Sequence, residues 1–69
     1  MEENELENKL FEECKSRSYN CSLTYQSIND YSVEIYKNYG KDYKQIFYTD
    51  GHIEKADAIK EALDTLLNY

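Results

Sequence analysis

The sequence predicts a two-layer α+β domain spanning residues 1–69: a helix, a three-stranded antiparallel meander and a second helix, with both helices on one sheet face. Three observations carry that expectation. Apolar residues recur at three- and four-residue intervals near both ends of the chain. They alternate with polar residues through the middle. The segments between the alternating runs are short and rich in Asn, Asp and Gly.

Residues 2–17 read as the first helix. Leu6, Leu10 and Cys14 lie four apart with Phe11 beside them, which makes one apolar stripe. Glu5, Glu12 and Glu13 fall on or near the other side. Acids in the first turn complement the positive end of the helix dipole, and Glu5 with Lys9 has the favourable four-residue spacing. The helix is expected to stop near residues 16–18.

Residues 19–27 alternate. Tyr19, Cys21, Leu23 and Tyr25 point one way, and Asn20, Ser22, Thr24 and Gln26 the other. Asn29-Asp30 is turn chemistry. Residues 31–38 alternate again, with Tyr31, Val33 and Ile35 inward and Ser32, Glu34 and Tyr36 outward. A second turn runs over Asn38, Tyr39, Gly40 and Lys41, where Gly40 can take a positive φ. Residues 43–49 form the third strand. Its facing stays open, because Ile46, Phe47 and Tyr48 are apolar in a row. Asp50-Gly51 is expected to end it.

The stretch 50–69 holds the clearest amphipathic helix. Ile59, Leu63, Leu66 and Leu67 form its apolar stripe with Ala56 on the same side, and Glu54, Asp57, Glu61 and Asp64 form a carboxylate row opposite. The outer sheet face is expected to carry Tyr36, with Tyr48 or Ile46, and Tyr43 or Tyr39. Such an aromatic face suits a protein contact, most simply a homodimer. Eight tyrosines in 69 residues sharpen that expectation, since tyrosine joins a large apolar body to a polar tip.

Charge narrows the partners. Fourteen acids face eight bases, a net charge of −6. Residues 1–13 carry −5, residues 14–49 carry +2 and residues 50–69 carry −3. Direct nucleic-acid binding is therefore not expected, because phosphate contacts need clustered Lys and Arg. An acidic chain instead meets basic partners, with attraction that speeds the encounter. The acidic N-terminal residues show no secretory pattern, no segment has the length of a membrane span, and the two cysteines read as reduced thiols, all consistent with a cytoplasmic protein.

No constellation for catalysis stands out, and the chain is not expected to be an enzyme. His52, the single histidine, reads as a turn or helix-start residue, and Cys14, Cys21 and His52 lack zinc spacing. There is no glycine-rich phosphate loop, and neither a metal nor a cofactor is expected.

Two resemblances follow from the element order. Helix, three strands, helix resembles the layout of the double-stranded RNA-binding domain. Where that family carries a lysine cluster at the start of its last helix, this chain has Glu54-Lys55-Ala56-Asp57, which argues against RNA binding here. The chain also resembles small acidic bacteriophage proteins that imitate DNA. Residues 7–67 are similar in element order and turn positions to a Cas9-blocking anti-CRISPR layout. Size, charge and aromatic content are similar to the Bacillus phage inhibitor of the nucleoid protein HU.

That second resemblance implies a cytosolic protein whose carboxylates occupy the basic groove of a DNA-binding host protein, HU-like first and Cas9 second. The partner-binding residues would be Glu54, Asp57, Glu61 and Asp64 with Glu5, Glu12 and Glu13. The alternative is an interaction module that is no mimic, such as an antitoxin, an adaptor or a phage regulatory dimer, using the tyrosine face. There Tyr36, Tyr48 and Ile46 would form the interface.

Overall fold

The computed structural model describes residues 2–38 and 40–69, the side chains from residue 4 onward; Tyr39, expected in a turn and as a candidate for the outer face, lies outside them. The order is α1 (Glu2–Ser16), β1 (Asn20–Gln26), β2 (Asp30–Lys37), a short 3-10 turn (Gly40–Asp42), β3 (Lys44–His52) and α2 (Lys55–Leu67). The strands form one antiparallel sheet in the order β1-β2-β3. The α+β meander and its two flanking helices are thus as the sequence predicts.

Helix α1 ends in a hydrogen-bonded stop. Ser18 takes a left-handed conformation with φ 60°. The Tyr19 N–H then reaches back to the Cys14 carbonyl at 2.9 Å, and the Ser18 N–H to Lys15 at 3.1 Å. This is the Schellman pattern, with serine where glycine usually stands. It turns the chain sharply enough for β1 to start at Asn20.

The β1–β2 connection is a tight hairpin. The Asn29 N–H bonds the Gln26 carbonyl at 3.1 Å, and Asp30 follows with φ 58°. A turn closed by one left-handed residue is the usual three-residue hairpin loop. Register then pairs Cys21 with Ile35 and Leu23 with Val33, which aims the four side chains at the helices.

Strand β3 is longer than expected. Asp50-Gly51 does not end it. Tyr31 pairs with His52 and Val33 with Thr49, so β3 fits two residues where β2 has one. The extra residue is absorbed as a bulge, with Gly51 at φ 78°. Its N–H bonds the Asn29 carbonyl at 2.8 Å, which ties the hairpin tip to the bulge. A second irregularity lies between Ile35↔Phe47 and Tyr36↔Gln45. It makes Ile46 an extra residue, and both Ile46 and Phe47 pack against the core. The open choice is settled: Tyr48, paired with Glu34, lies on the outer face, and Ile46 does not.

Both helices cover one face of the sheet. The core joins Leu10 and Cys14 of α1, Val33 and Ile35 of β2, and Ala58, Ile59, Ala62, Leu63 and Leu66 of α2, all buried. Leu67 does not belong to this stripe and is 60% exposed. Its place is taken by Ala58 and Ala62, whose small side chains let α2 lie close to the sheet. Burying a Leu, Ile or Val side chain is worth ~1.5–3 kcal/mol, and in domains of this size a single core rarely supplies more than about 3–5 kcal/mol of net stability. Each large core residue therefore carries a substantial share of the fold. None of the described helices is long and apolar enough to cross a membrane.

Candidate functional site

Connectivity decides how the acidic residues are grouped. Three antiparallel strands separate the helices, so α1 and α2 run in the same direction side by side. Lys55 Nζ at the start of α2 lies 3.4 Å from Glu7 Oε1 in α1, and this ion pair holds the two helical starts together. Acids near those starts also answer the positive ends of two helix dipoles. Part of the acid content thus has a local structural cause.

The seven carboxylates expected at the partner-binding surface all sit on the helical layer. Glu5, Glu12, Glu54, Asp57, Glu61 and Asp64 are exposed, and Glu13 is half-buried. They are not equally available. Glu13 is held by Arg17, Oε2 to Nε at 2.9 Å. Glu12 lies 3.7 Å from Lys15 in a solvated pair, which contributes little. Glu54 precedes α2 in an extended conformation and makes no side-chain cap bond.

Glu61 departs most from expectation. Instead of facing away from the sheet in a free row, its carboxylate turns to β3. Oε1 accepts from the Thr49 hydroxyl at 2.9 Å and lies 2.5 Å from His52 Nε2. The imidazole bond, then the hydroxyl bond, holds its carboxyl below the usual carboxylate range. His52 is accordingly no turn residue. It is the last residue of β3, placed over α2 by the bulge at Asp50-Gly51. The trio works as a strap: the Thr49 hydroxyl donates a hydrogen bond to Glu61, and its oxygen also lies 3.2 Å from His52 Nε2. Nothing in the sequence pattern signalled this contact, because the strand seemed to end before His52.

Between the helices runs a cleft of about 400 Å³, lined by Asn8, Lys9, Glu12, Glu13, Ser16, Leu63 and Leu67. Exposed Leu67 is part of its wall.

The opposite face of the sheet is polar and aromatic. Tyr36 and Tyr43 stack with ring centres 5.3 Å apart at 37°. The Tyr43 hydroxyl donates to Glu34, and the Tyr48 hydroxyl to Asp50 at 3.3 Å. The bond to Glu34 raises the Tyr43 phenol, while partial desolvation and then Asp50 raise Tyr48. Both phenols therefore remain protonated donors at neutral pH. Tyr43 and Tyr48 are 45% and 46% exposed, and Thr24 and Ser32 continue the face with a hydroxyl contact of 3.1 Å.

Comparison with protein-family models, with curated proteins and with solved structures finds no match to this chain.

Proposed function

We propose that this chain is an acidic DNA mimic that binds a basic DNA-binding host protein through its helical layer and blocks that protein's DNA-binding surface. A small HU-like nucleoid protein is the first choice of partner, and Cas9 the second. The observation that carries the reading is the segregation of charge between the two layers. Residues 2–16 hold six acids and two lysines, and residues 54–67 hold four acids and two lysines. The strands and turns between them are close to neutral.

Spacing supports the same reading. Carboxylates three and four residues apart on one helix are ~5–6 Å apart. Duplex DNA carries about one charge per 1.7 Å of axis counting both strands, so a single row is too sparse. A neighbouring helix at a packing distance of roughly 8–10 Å adds a second row, and α1 lies beside α2 in that way. Binding would rest on charge-assisted hydrogen bonds and would weaken with salt.

The test replaces Glu54 and Asp57 and Asp64 together, as Glu54→Gln, Asp57→Asn and Asp64→Asn. Glu61 is left in place so that its strap to β3 survives. Exposed pairs are worth ~0–1 kcal/mol each, so the triple variant should compete with DNA for HU about tenfold less well at low salt. The difference should shrink as salt rises, and each single change should have little effect. A triple variant that folds and competes like the parent would refute the helical layer as the binding surface.

A second reading rests on the tyrosine face. Among the described residues no element covers Tyr36, Tyr43 and Tyr48. A non-mimic interaction module or a regulatory dimer would use that face and tolerate loss of the helical carboxylates.

A further inference from the structure

Glu34 lies on the middle strand, and its side chain points away from the helices. Register places Ser22 of β1 and Tyr48 of β3 on either side of it, and Tyr36 follows two residues on, on the same face. The Glu34 carboxylate is half-buried among them, yet among the described residues no Lys or Arg forms an ion pair with it. Its partner is a neutral phenol: the Tyr43 hydroxyl donates to Oε2. Gln45 Nε2 donates to that same phenol oxygen at 3.4 Å, and the Tyr36 ring stacks on the Tyr43 ring at 5.3 Å. Three neighbours therefore fix the Tyr43 ring in place. The strand residues that share this face by register include Glu34 and Asp50 and no Lys or Arg. Lys37 and Lys44 pair with each other one step beyond Tyr36 and Gln45, on the other side of the pleat.

We infer that Tyr43, Tyr36 and Glu34 form a binding site for an arginine side chain of a basic protein. A guanidinium laid on the Tyr43 ring meets the negative face of its π system. Its fork of N–H donors then reaches the Glu34 carboxylate in a charge-assisted bond. The bond from Tyr43 does not fill that carboxylate, since its two oxygens accept at about four positions. Lysine fits less well, because a compact ammonium on an open face keeps its water and has no plane to stack. The ring and the carboxylate are already held in place, so little ordering is lost on binding. A second copy of this chain is a poor source of the arginine. Its single arginine, Arg17, is held by Glu13 at 2.9 Å at the end of α1. The site lies on the opposite layer from the helical carboxylates and does not depend on them.

The experiment titrates the folded, isotope-labelled protein with acetyl-Gly-Arg-Gly-amide and follows its backbone amides by NMR. The shifts should saturate and centre on Glu34, Tyr36, Tyr43 and Tyr48. The lysine analogue of the peptide should bind at least about threefold more weakly, and the uncharged citrulline analogue should not bind measurably. Glu34→Gln should weaken the arginine peptide at least about tenfold, and Tyr43→Leu at least about fivefold. Shifts confined to the helices, equal binding of the arginine and lysine peptides, or a Glu34→Gln variant that binds like the parent would overturn the site. Shifts of this face on dilution of the protein alone would give it to a second copy, and would overturn it too. The parent titration with the three peptides decides the matter even where a variant fails to fold.

Discussion

His52 and Glu61 are joined side chain to side chain, Nε2 to Oε1 at 2.5 Å, across the junction between the end of β3 and the middle of α2. Thr49 adds a second bond to the same oxygen at 2.9 Å. Together they lower the Glu61 carboxyl in the folded state. A carboxyl that is more acidic when folded favours folding above its unfolded value of about 4.3. That contribution fades as pH falls through the folded value.

Glu61→Gln should therefore lower stability at pH 7 by no more than about 1 kcal/mol, as expected for a half-exposed pair. Parent and variant should converge well below pH 4. Urea unfolding at pH 7 and pH 3 checks this. A stability gap that persists unchanged at pH 3 would show that the contact does not act through the carboxylate.

Ser18 holds a left-handed conformation at the end of α1, φ 60°. That conformation costs an L-residue with a side chain roughly 1–2 kcal/mol, and glycine gives back about 0.5–1 through its freer unfolded chain. Ser18→Gly should thus stabilise the protein by up to ~1 kcal/mol. The urea midpoint should rise with an unchanged slope. A lower midpoint would count against the Schellman geometry.

The tyrosine face makes a separate claim. If it joins two copies, the parent should sediment as a dimer at high micromolar concentration. Tyr36→Ser with Tyr48→Ser should weaken the association at least tenfold, ~1.4 kcal/mol, and leave the far-ultraviolet spectrum intact. A parent that sediments as a monomer would rule out self-association through this face.

The parts of the fold that were legible obey one period each. Val33 and Ile35 alternate with Glu34 and Tyr36, and their facing follows directly. Ile59, Leu63 and Leu66 follow the helix period and are buried. Strand β3 was illegible because it obeys no single period. The extra residue at Ile46 and the bulge at Asp50-Gly51 each shift the alternation, and the same Asp-Gly pair imitates a strand end. The strap from Thr49 and His52 to Glu61 was lost with it. Leu67 was misplaced for a different reason: two alanines, weak in any hydrophobic pattern, hold the middle of the buried face.

The bulges in β3 have a consequence for how copies could meet. They bend one outer edge of the sheet away from regular pairing, whereas β1 opposes β2 residue for residue along its length. A bent edge is a poor template for a further strand, and a regular one is a good template. Strand addition, by another copy or by an extended peptide, is thus directed to the β1 side. Two copies paired there about a two-fold axis would make one continuous six-stranded sheet, with all four helices above it and Tyr36, Tyr43 and Tyr48 of both copies below. Two copies stacked through the tyrosines would instead turn their helices to opposite poles. The first assembly offers a basic partner one broad negative platform; the second offers two, back to back, and could hold two partners at once.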